Sequence, residues 1–399
     1  MIKVAFGSVP KDGGTFTFYR NQRPALLGHG IDLRCVTVGR REAGLLEPAY
    51  LDEGCVLLAS GARSVKRQAR AFVEWCAEER IDIVMGINSV AILSALPHLP
   101  ERVRVMARCA NGFDHGYRIT LAGRERLAGI VALTPRLRDT LIAEYGAPAE
   151  RITLIPNGID PAPFAAAASR PRGQEEQIEL GFLGRLEHGQ KGVLHLPGIV
   201  RALASEGVPF RLRIAGKGRH EADLRAALAG EIAAGRVEML GALGPESIPG
   251  FLAATDALLF TSHFEGCPNA LLEAMMAGVV PISSRIEGTT DFLIAEGETG
   301  FLCAPDDHAC FARHAAGLER DRARLARMSA AVAAAARAQL TNATASAAYA
   351  ALFQQVMADP PPAASPRPWR QFRVDPNFAV SWSGRLRRMG STVRAMVSG

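Results

Sequence analysis

The stretch Phe260-Thr-Ser-His-Phe-Glu-Gly-Cys-Pro-Asn-Ala-Leu-Leu-Glu-Ala-Met-Met-Ala-Gly278 carries two carboxylates, Glu265 and Glu273, eight positions apart. An apolar run ends at Phe260, a polar loop with Glu265-Gly266 follows, and Pro268 is expected to open a helix, where its missing N–H needs no partner. A helix start of this kind presents free N–H groups and the positive dipole end, which suits a phosphate. One carboxylate in the loop and one inside the helix can accept hydrogen bonds from the hydroxyls of a sugar and a ribose. Upstream, Gly184-Arg185-Leu186 and Lys191-Gly192 follow another apolar run. This places two basic residues in one loop. Gly13-Gly14 offers a sharp turn at which backbone can approach a ligand. Leu212-Arg-Ile-Ala-Gly216-Lys-Gly218 holds a lone G-x-G, without the third glycine or later acid of a dinucleotide fingerprint.

These residues need a scaffold. Apolar runs at Ile2–Phe6, Cys35–Val38, Ile81–Met85, Arg102–Ala107 and Ile130–Leu133 alternate with helical stretches, which predicts a parallel, doubly wound sheet. A Pro/Ala/Arg/Gln-rich stretch, residues 161–177, interrupts the pattern. A second series then runs through Ile178–Leu183, Phe210–Ala215, Val237–Met239, Ala257–Phe260 and Val280–Ser283. Ligands of such sheets bind outside the carboxyl ends of the strands. Residues 318–357 are Ala- and Arg-rich and helix-forming, and Pro360-Pro361-Pro362 stops them.

At 399 residues the chain suits two α/β domains. It has no apolar run long enough to span a bilayer and no signal-peptide pattern at its start, so a cytoplasmic location is the expectation. The seven cysteines show no CxxC pair and are expected to be reduced, mostly buried residues rather than a disulfide or zinc framework. Residues 360–399 hold seven arginines and one acid, Asp375, so this tail carries the whole +6 net charge. With Trp369, Phe372, Phe378 and Trp382 it suits peripheral contact with an anionic membrane surface, or else arginines paired with acids on the body. Basic charge confined to a tail without a binding motif argues against a nucleic-acid partner.

EGCPNALLE, with Glu265 and Glu273, resembles the E-x7-E motif of the retaining glycosyltransferases of family 4. The Gly184–Gly192 and Leu212–Gly218 segments resemble others of that family in the same order, as do Ile155-Pro-Asn-Gly-Ile-Asp160 and Gly297-Glu-Thr-Gly300-Phe-Leu-Cys-Ala-Pro305. The likeness covers most of residues 1–350 and is strongest over 150–305. It implies the GT-B fold: two Rossmann-like, doubly wound parallel-sheet domains facing a cleft. Residues 1–160 would form the acceptor domain, 161–177 a linker, 178–345 the donor domain, and 346–399 a terminal helix and basic tail.

The resemblance further implies transfer of a hexose-type sugar, with retention, from a UDP- or GDP-linked donor to a glycan or lipid-linked acceptor in cell-surface polysaccharide or glycoconjugate synthesis. Arg185 and Lys191 would hold the diphosphate, Glu265 the transferred sugar and Glu273 the ribose. Gly13, Gly14, Gly266, Cys267, Pro268, Asn269, Ala270 and Leu271 would complete the donor site. No cofactor and no metal are expected: there is no D-x-D triplet, and Asp306-Asp307-His308 lies downstream. The alternatives are an inactive sugar-nucleotide-binding or scaffold protein, or a nucleotide-sugar epimerase of the same fold. Two departures stand out. Cys267 replaces a bulky apolar residue, and Arg108-Cys-Ala-Asn-Gly-Phe-Asp-His115 lacks the family's His-Asp pair, leaving Asn111, Asp114 or His115, with His115 favoured. Lys11, Tyr19, Arg20 and Arg23 either border the acceptor side of the cleft or, as the plainer and favoured expectation, form an exposed helix face.

Overall fold

The computed structural model describes residues 1–11, 13–169, 176–361 and 364–377. They form two compact units. Of the described residues, unit 1 comprises those in 1–133, 137–155 and from 345 onward; unit 2 comprises those in 134–136 and 156–344.

The strands of unit 1 are β1 (Ile2–Gly7), β2 (Ile31–Val38), β3 (Cys55–Leu58), β4 (Ile83–Gly86), β5 (Arg104–Cys109), β6 (Leu127–Ala132) and β7 (Ile152–Leu154). All pair in parallel in the order β3-β2-β1-β4-β5-β6-β7. Every residue of β4 is buried, as expected of a strand covered by helices on both faces. β2 starts four residues ahead of the apolar run that predicts it because its charges are satisfied: Arg34 Nε lies 2.8 Å from Asp32 and Nη1 2.7 Å from Glu79.

Unit 2 contains β8 (Ile178–Leu183), β9 (Phe210–Ala215), β10 (Val237–Gly241), β11 (Ala257–Phe260), β12 (Val280–Ser284) and β13 (Phe301–Cys303). They too are parallel, in the order β10-β9-β8-β11-β12-β13. One face packs Leu180, Leu212 and Ile282 against Ile199 and Phe311; the other packs Leu258 and Phe260 against Leu272, Met275 and Val332. Strand order reverses between β1 and β4 in one sheet and between β8 and β11 in the other. The doubly wound parallel architecture expected of the chain is thus present twice.

Other expectations change. The 161–177 stretch contains a short helix, Ala165–Ser169, that buries Ala167. The terminal helix, Asn342–Ala358, packs from Ala345 onward with unit 1, burying Tyr349 and Phe353, and Arg108 Nε donates to Tyr349 Oη at 3.2 Å. Trp369 and Phe372 stack on His98, with ring centroids 4.5 and 5.6 Å away. Arg367 pairs with Glu125 at 2.8 Å. Phe378, Trp382 and the arginines at 385, 387, 388 and 394 lie outside the described residues. Cys303 and Cys310 form a disulfide, against the expectation of reduced cysteines, because the turn after β13 brings the start of helix His308–Arg320 back beside it. No helix among the described residues is long and apolar enough to cross a membrane.

Candidate active site

The chemistry-bearing loops of unit 2 follow β8 and β11, the two strands at which its strand order reverses, where doubly wound sheets bind ligands. After β8, Glu187 caps the short helix His188–Lys191 by accepting from the Gly189 and Gln190 N–H groups at 3.1 and 2.9 Å. Gly192 then turns the chain in the left-handed region, φ +61°, and a Cβ there would stand 2.0 Å from the Thr261 carbonyl oxygen. Only glycine lets the two loops approach so closely. The contact is reinforced by Thr261 Oγ1 donating to Lys191 O at 2.8 Å and His263 N–H donating to Gln190 O at 2.8 Å.

The result is one polar network. Lys191 Nζ lies 2.6 Å from Glu265 Oε1, with both side chains nearly buried. Ser262 Oγ donates to the same oxygen at 2.7 Å, and Gln190 Nε2 donates to Glu265 Oε2 at 3.3 Å. Arg185, exposed, donates to Gln190 Oε1 at 2.6 Å. Three residues assigned from sequence, Arg185, Lys191 and Glu265, are therefore linked, and Gln190, which the sequence did not single out, joins them. The Lys191 ammonium has three donors. One is given to Glu265.

Pro268 stands just ahead of the helix Asn269–Met276 as its N-cap, one position earlier than expected. Leu271 has a fully buried side chain, and its N–H donates to Pro268 O at 3.0 Å. The first-turn amides of Asn269 and Ala270 are those a helix leaves without an intrahelical acceptor. Asn157 Nδ2 holds Asn269 Oδ1 at 2.7 Å, and Thr134 Oγ1 holds Gly266 O at 3.0 Å. Cys267 packs against the apolar core. Burial pushes the Glu273 carboxyl up to about 7. The G-x-G of β9 has a packing role: a Cβ on Gly216 would lie 1.8 Å from Gly184 O.

In unit 1, Gly13, Gly14 and His115 border a cavity of about 780 Å³ rimmed by Lys11, Arg41 and Arg63. Glu42 also faces it, but Oε2 accepts from Thr37 Oγ1 and the Val38 N–H, both at 2.9 Å. Of the three residues weighed for the missing His-Asp pair, His115 lines this cavity. Asp114 is committed to Arg118 and Tyr145 at 2.9 and 2.8 Å, and those hydrogen bonds hold its carboxyl below the usual range. Tyr19, expected on an exposed face, is fully buried, and its hydroxyl donates to Glu53 O at 2.8 Å.

A histidine cluster escaped the sequence reading. His188, His195 and His263 offer ring nitrogens all within 4.8 Å of one another, and His308 and His220 adjoin them. Five of the nine histidines gather here, from loops far apart in sequence. Burial, then His263 and His188, push His195 down to about 4.

Two doubly wound parallel sheets in one chain, each with polar loops at the carboxyl ends of the strands where the order reverses, define the GT-B architecture. The family described as Glycosyl transferases group 1 matches residues 177–321 and Glycosyltransferase Family 4 matches residues 12–163; the chain belongs to these glycosyltransferases. It is 32% identical over 196 residues to the 2-deoxystreptamine glucosyltransferase of Streptomyces kanamyceticus, covering 47% of this chain and 50% of that protein. The chain spans about half the length of the curated relatives it matches. Its fold is similar to a glycosyltransferase from Rickettsia africae (TM-score 0.74, 13% identity, 90% and 99% of the two chains). It is also similar to Anabaena HepE in complex with UDP (TM-score 0.72, 17% identity, 89% and 100%).

Proposed function

We propose that this chain transfers a hexose-type sugar, with retention, from a UDP- or GDP-linked donor to a glycan or lipid-linked acceptor in polysaccharide or glycoconjugate synthesis. The observation that carries the proposal is the Lys191–Glu265 pair, whose carboxylate is set in the loop that leads into the helix whose first amides are those of Asn269 and Ala270. A diphosphate takes the remaining Lys191 donors, Arg185 and those amides, which together stabilise the departing charge without a divalent cation. Glu265 then orients the sugar and Glu273 the ribose. A carboxyl that titrates near neutrality both donates and accepts, which suits a ribose diol. With no protein nucleophile invoked, the leaving phosphate takes the acceptor proton, and orientation supplies the remaining advantage. The cationic rim of the unit 1 cavity suits an acceptor bearing an anionic group, and His115, which lines that cavity, is the residue we assign to the sugar. The relatives support a sugar donor: one is named a glucosyltransferase, and HepE has been crystallised with UDP-glucose. Residues 360–399 remain the segment proposed to touch a membrane surface at the cytoplasmic face; their deletion should release the chain from anionic liposomes.

The test is a thermal-shift screen against UDP, GDP and their sugar conjugates with a chelator present. A shift with one base, lost in Arg185→Ala and Glu273→Ala, supports the reading, since a ligand that binds the folded state raises Tm. Unchanged melting with every nucleotide at millimolar concentration refutes it.

A further inference from the structure

The histidine cluster of unit 2 takes no part in the proposed transfer chemistry. Three imidazoles from two loops meet here: His188 and His195, which bracket the Gly189–Leu194 segment, and His263, in the loop after β11. His195 Nε2 lies 2.8 Å from His263 Nε2, and His195 Nδ1 lies 3.0 Å from His308 Nε2. His263 Nδ1 faces the Gly189 carbonyl oxygen at 3.4 Å. A carbonyl only accepts, so that Nδ1 carries the proton and His263 Nε2 presents its lone pair.

We propose that His188, His195 and His263 form a site for a borderline first-row ion of the zinc(II) class, with His308 as an outer partner. Three neutral imidazoles without a carboxylate or thiolate are the donor set of zinc, copper or nickel, not of magnesium or calcium. Two imidazole nitrogens on one tetrahedral zinc ion stand about 3.3 Å apart, given Zn–N bonds of about 2.05 Å. The His195–His263 pair therefore needs to open by only about half an ångström from its hydrogen-bonded separation of 2.8 Å. Proton balance is simple. Without metal, His308 Nε2–H donates to His195 Nδ1, and His195 Nε2–H donates to His263. With metal, His195 moves its proton to Nδ1 and donates to His308 Nε2, whose own proton moves to Nδ1; His188, whose Nδ1 accepts from the Leu194 N–H at 3.4 Å, gives up that long contact to ligate, and every ring stays neutral. An outer hydrogen bond of this kind fixes the tautomer of a ligating imidazole.

The surroundings fit the rings. A Cβ on Gly198 would lie 2.2 Å from His308 Nδ1, so the absence of a side chain there makes room for the outer ring. The partly exposed ligands leave a fourth position open to water. Bound metal ties the segment that carries Gln190 and Lys191 to the loop that carries Glu265. It acts as a clamp on the donor network, separate from the diphosphate contacts themselves.

The experiment is titration of the untagged, full-length, metal-free chain with cobalt(II), read by its visible ligand-field bands, followed by zinc(II) competition. We expect one cobalt per chain, tetrahedral bands and displacement by zinc. His195→Gln and His263→Gln should each lose more affinity than His308→Gln, which should lose about 10–100-fold as an outer partner. The Cys303→Ser/Cys310→Ser double variant, which removes the other His/Cys group, should bind as the parent does. In the unmutated chain, zinc should shift the ring-nitrogen resonances of His188, His195 and His263, a readout that needs no variant to fold. No stoichiometric uptake, uptake unchanged in both ligand variants, or uptake lost with the two cysteines would overturn the proposal. Nucleotide binding plays no part in these outcomes, so they stand apart from the donor-site test.

Discussion

Lys191 Nζ and Glu265 Oε1 stand 2.6 Å apart across 74 residues of sequence, with side chains only 14% and 7% exposed. A buried pair punishes the loss of one partner more than the loss of both. Lys191→Met should therefore cost about 3 kcal/mol in chemical denaturation, because Glu265 keeps a charge without its counterion. Adding Glu265→Gln should recover most of that stability while sugar transfer stays absent. If the double variant is as unstable as the single one, the ion pair is not what holds the two loops together.

Arg185 separates chemistry from stability. It is exposed and touches only the Gln190 amide within the network. Arg185→Ala should leave the denaturation midpoint within about 0.5 kcal/mol of the parent. Turnover with the preferred donor should fall about 100-fold or more if the guanidinium stabilises the leaving diphosphate. Steady-state kinetics beside a denaturation curve decide the matter.

Glu273 should make stability fall as pH rises. Burial lifts its folded carboxyl to about 7 from an ordinary 4.5, so the folded chain holds more protons than the unfolded chain between those values. Stability is fully present below the lower value and is lost as pH rises through the upper one, by on the order of 3 kcal/mol. Glu273→Gln, which cannot ionise, should remove that slope and be the more stable chain at pH 8 by urea denaturation.

Tyr349 joins the terminal helix to unit 1, buried against Phe18 and Phe353 and receiving the Arg108 hydrogen bond. Tyr349→Ala should destabilise that unit by about 3–5 kcal/mol, the usual cost of emptying a buried aromatic site. Trp75 and Trp369 lie in unit 1, so tryptophan fluorescence reports its unfolding.

The order of elements was legible because central strands of parallel sheets are continuous apolar runs: β8, β9 and β11 begin and end where the sequence predicts. β3, β7 and β13 were not, for they are three- or four-residue strands at sheet edges and leave too short a run to register. Glu265 and Glu273 were legible as a local motif. The pairing of Lys191 with Glu265 was not, nor was the meeting of His188 and His195 with His263, because both depend on loops from non-adjacent strands converging. Leu271 shows the opposite limit. Its place in a motif says nothing about whether its side chain or its amide is free, and here neither is.

The return of the terminal helix to unit 1 bears on how the chain matures. Tyr349, Phe353 and Val356 fill the core of a unit whose strand Ile2–Gly7 precedes unit 2 in the sequence, so that strand waits for partners that follow unit 2. Domains ordinarily fold in the order in which they leave the ribosome. Here unit 1 cannot seal its core until the whole of unit 2 has emerged, and the nascent chain must shelter an open apolar face while residues 156–344 are made.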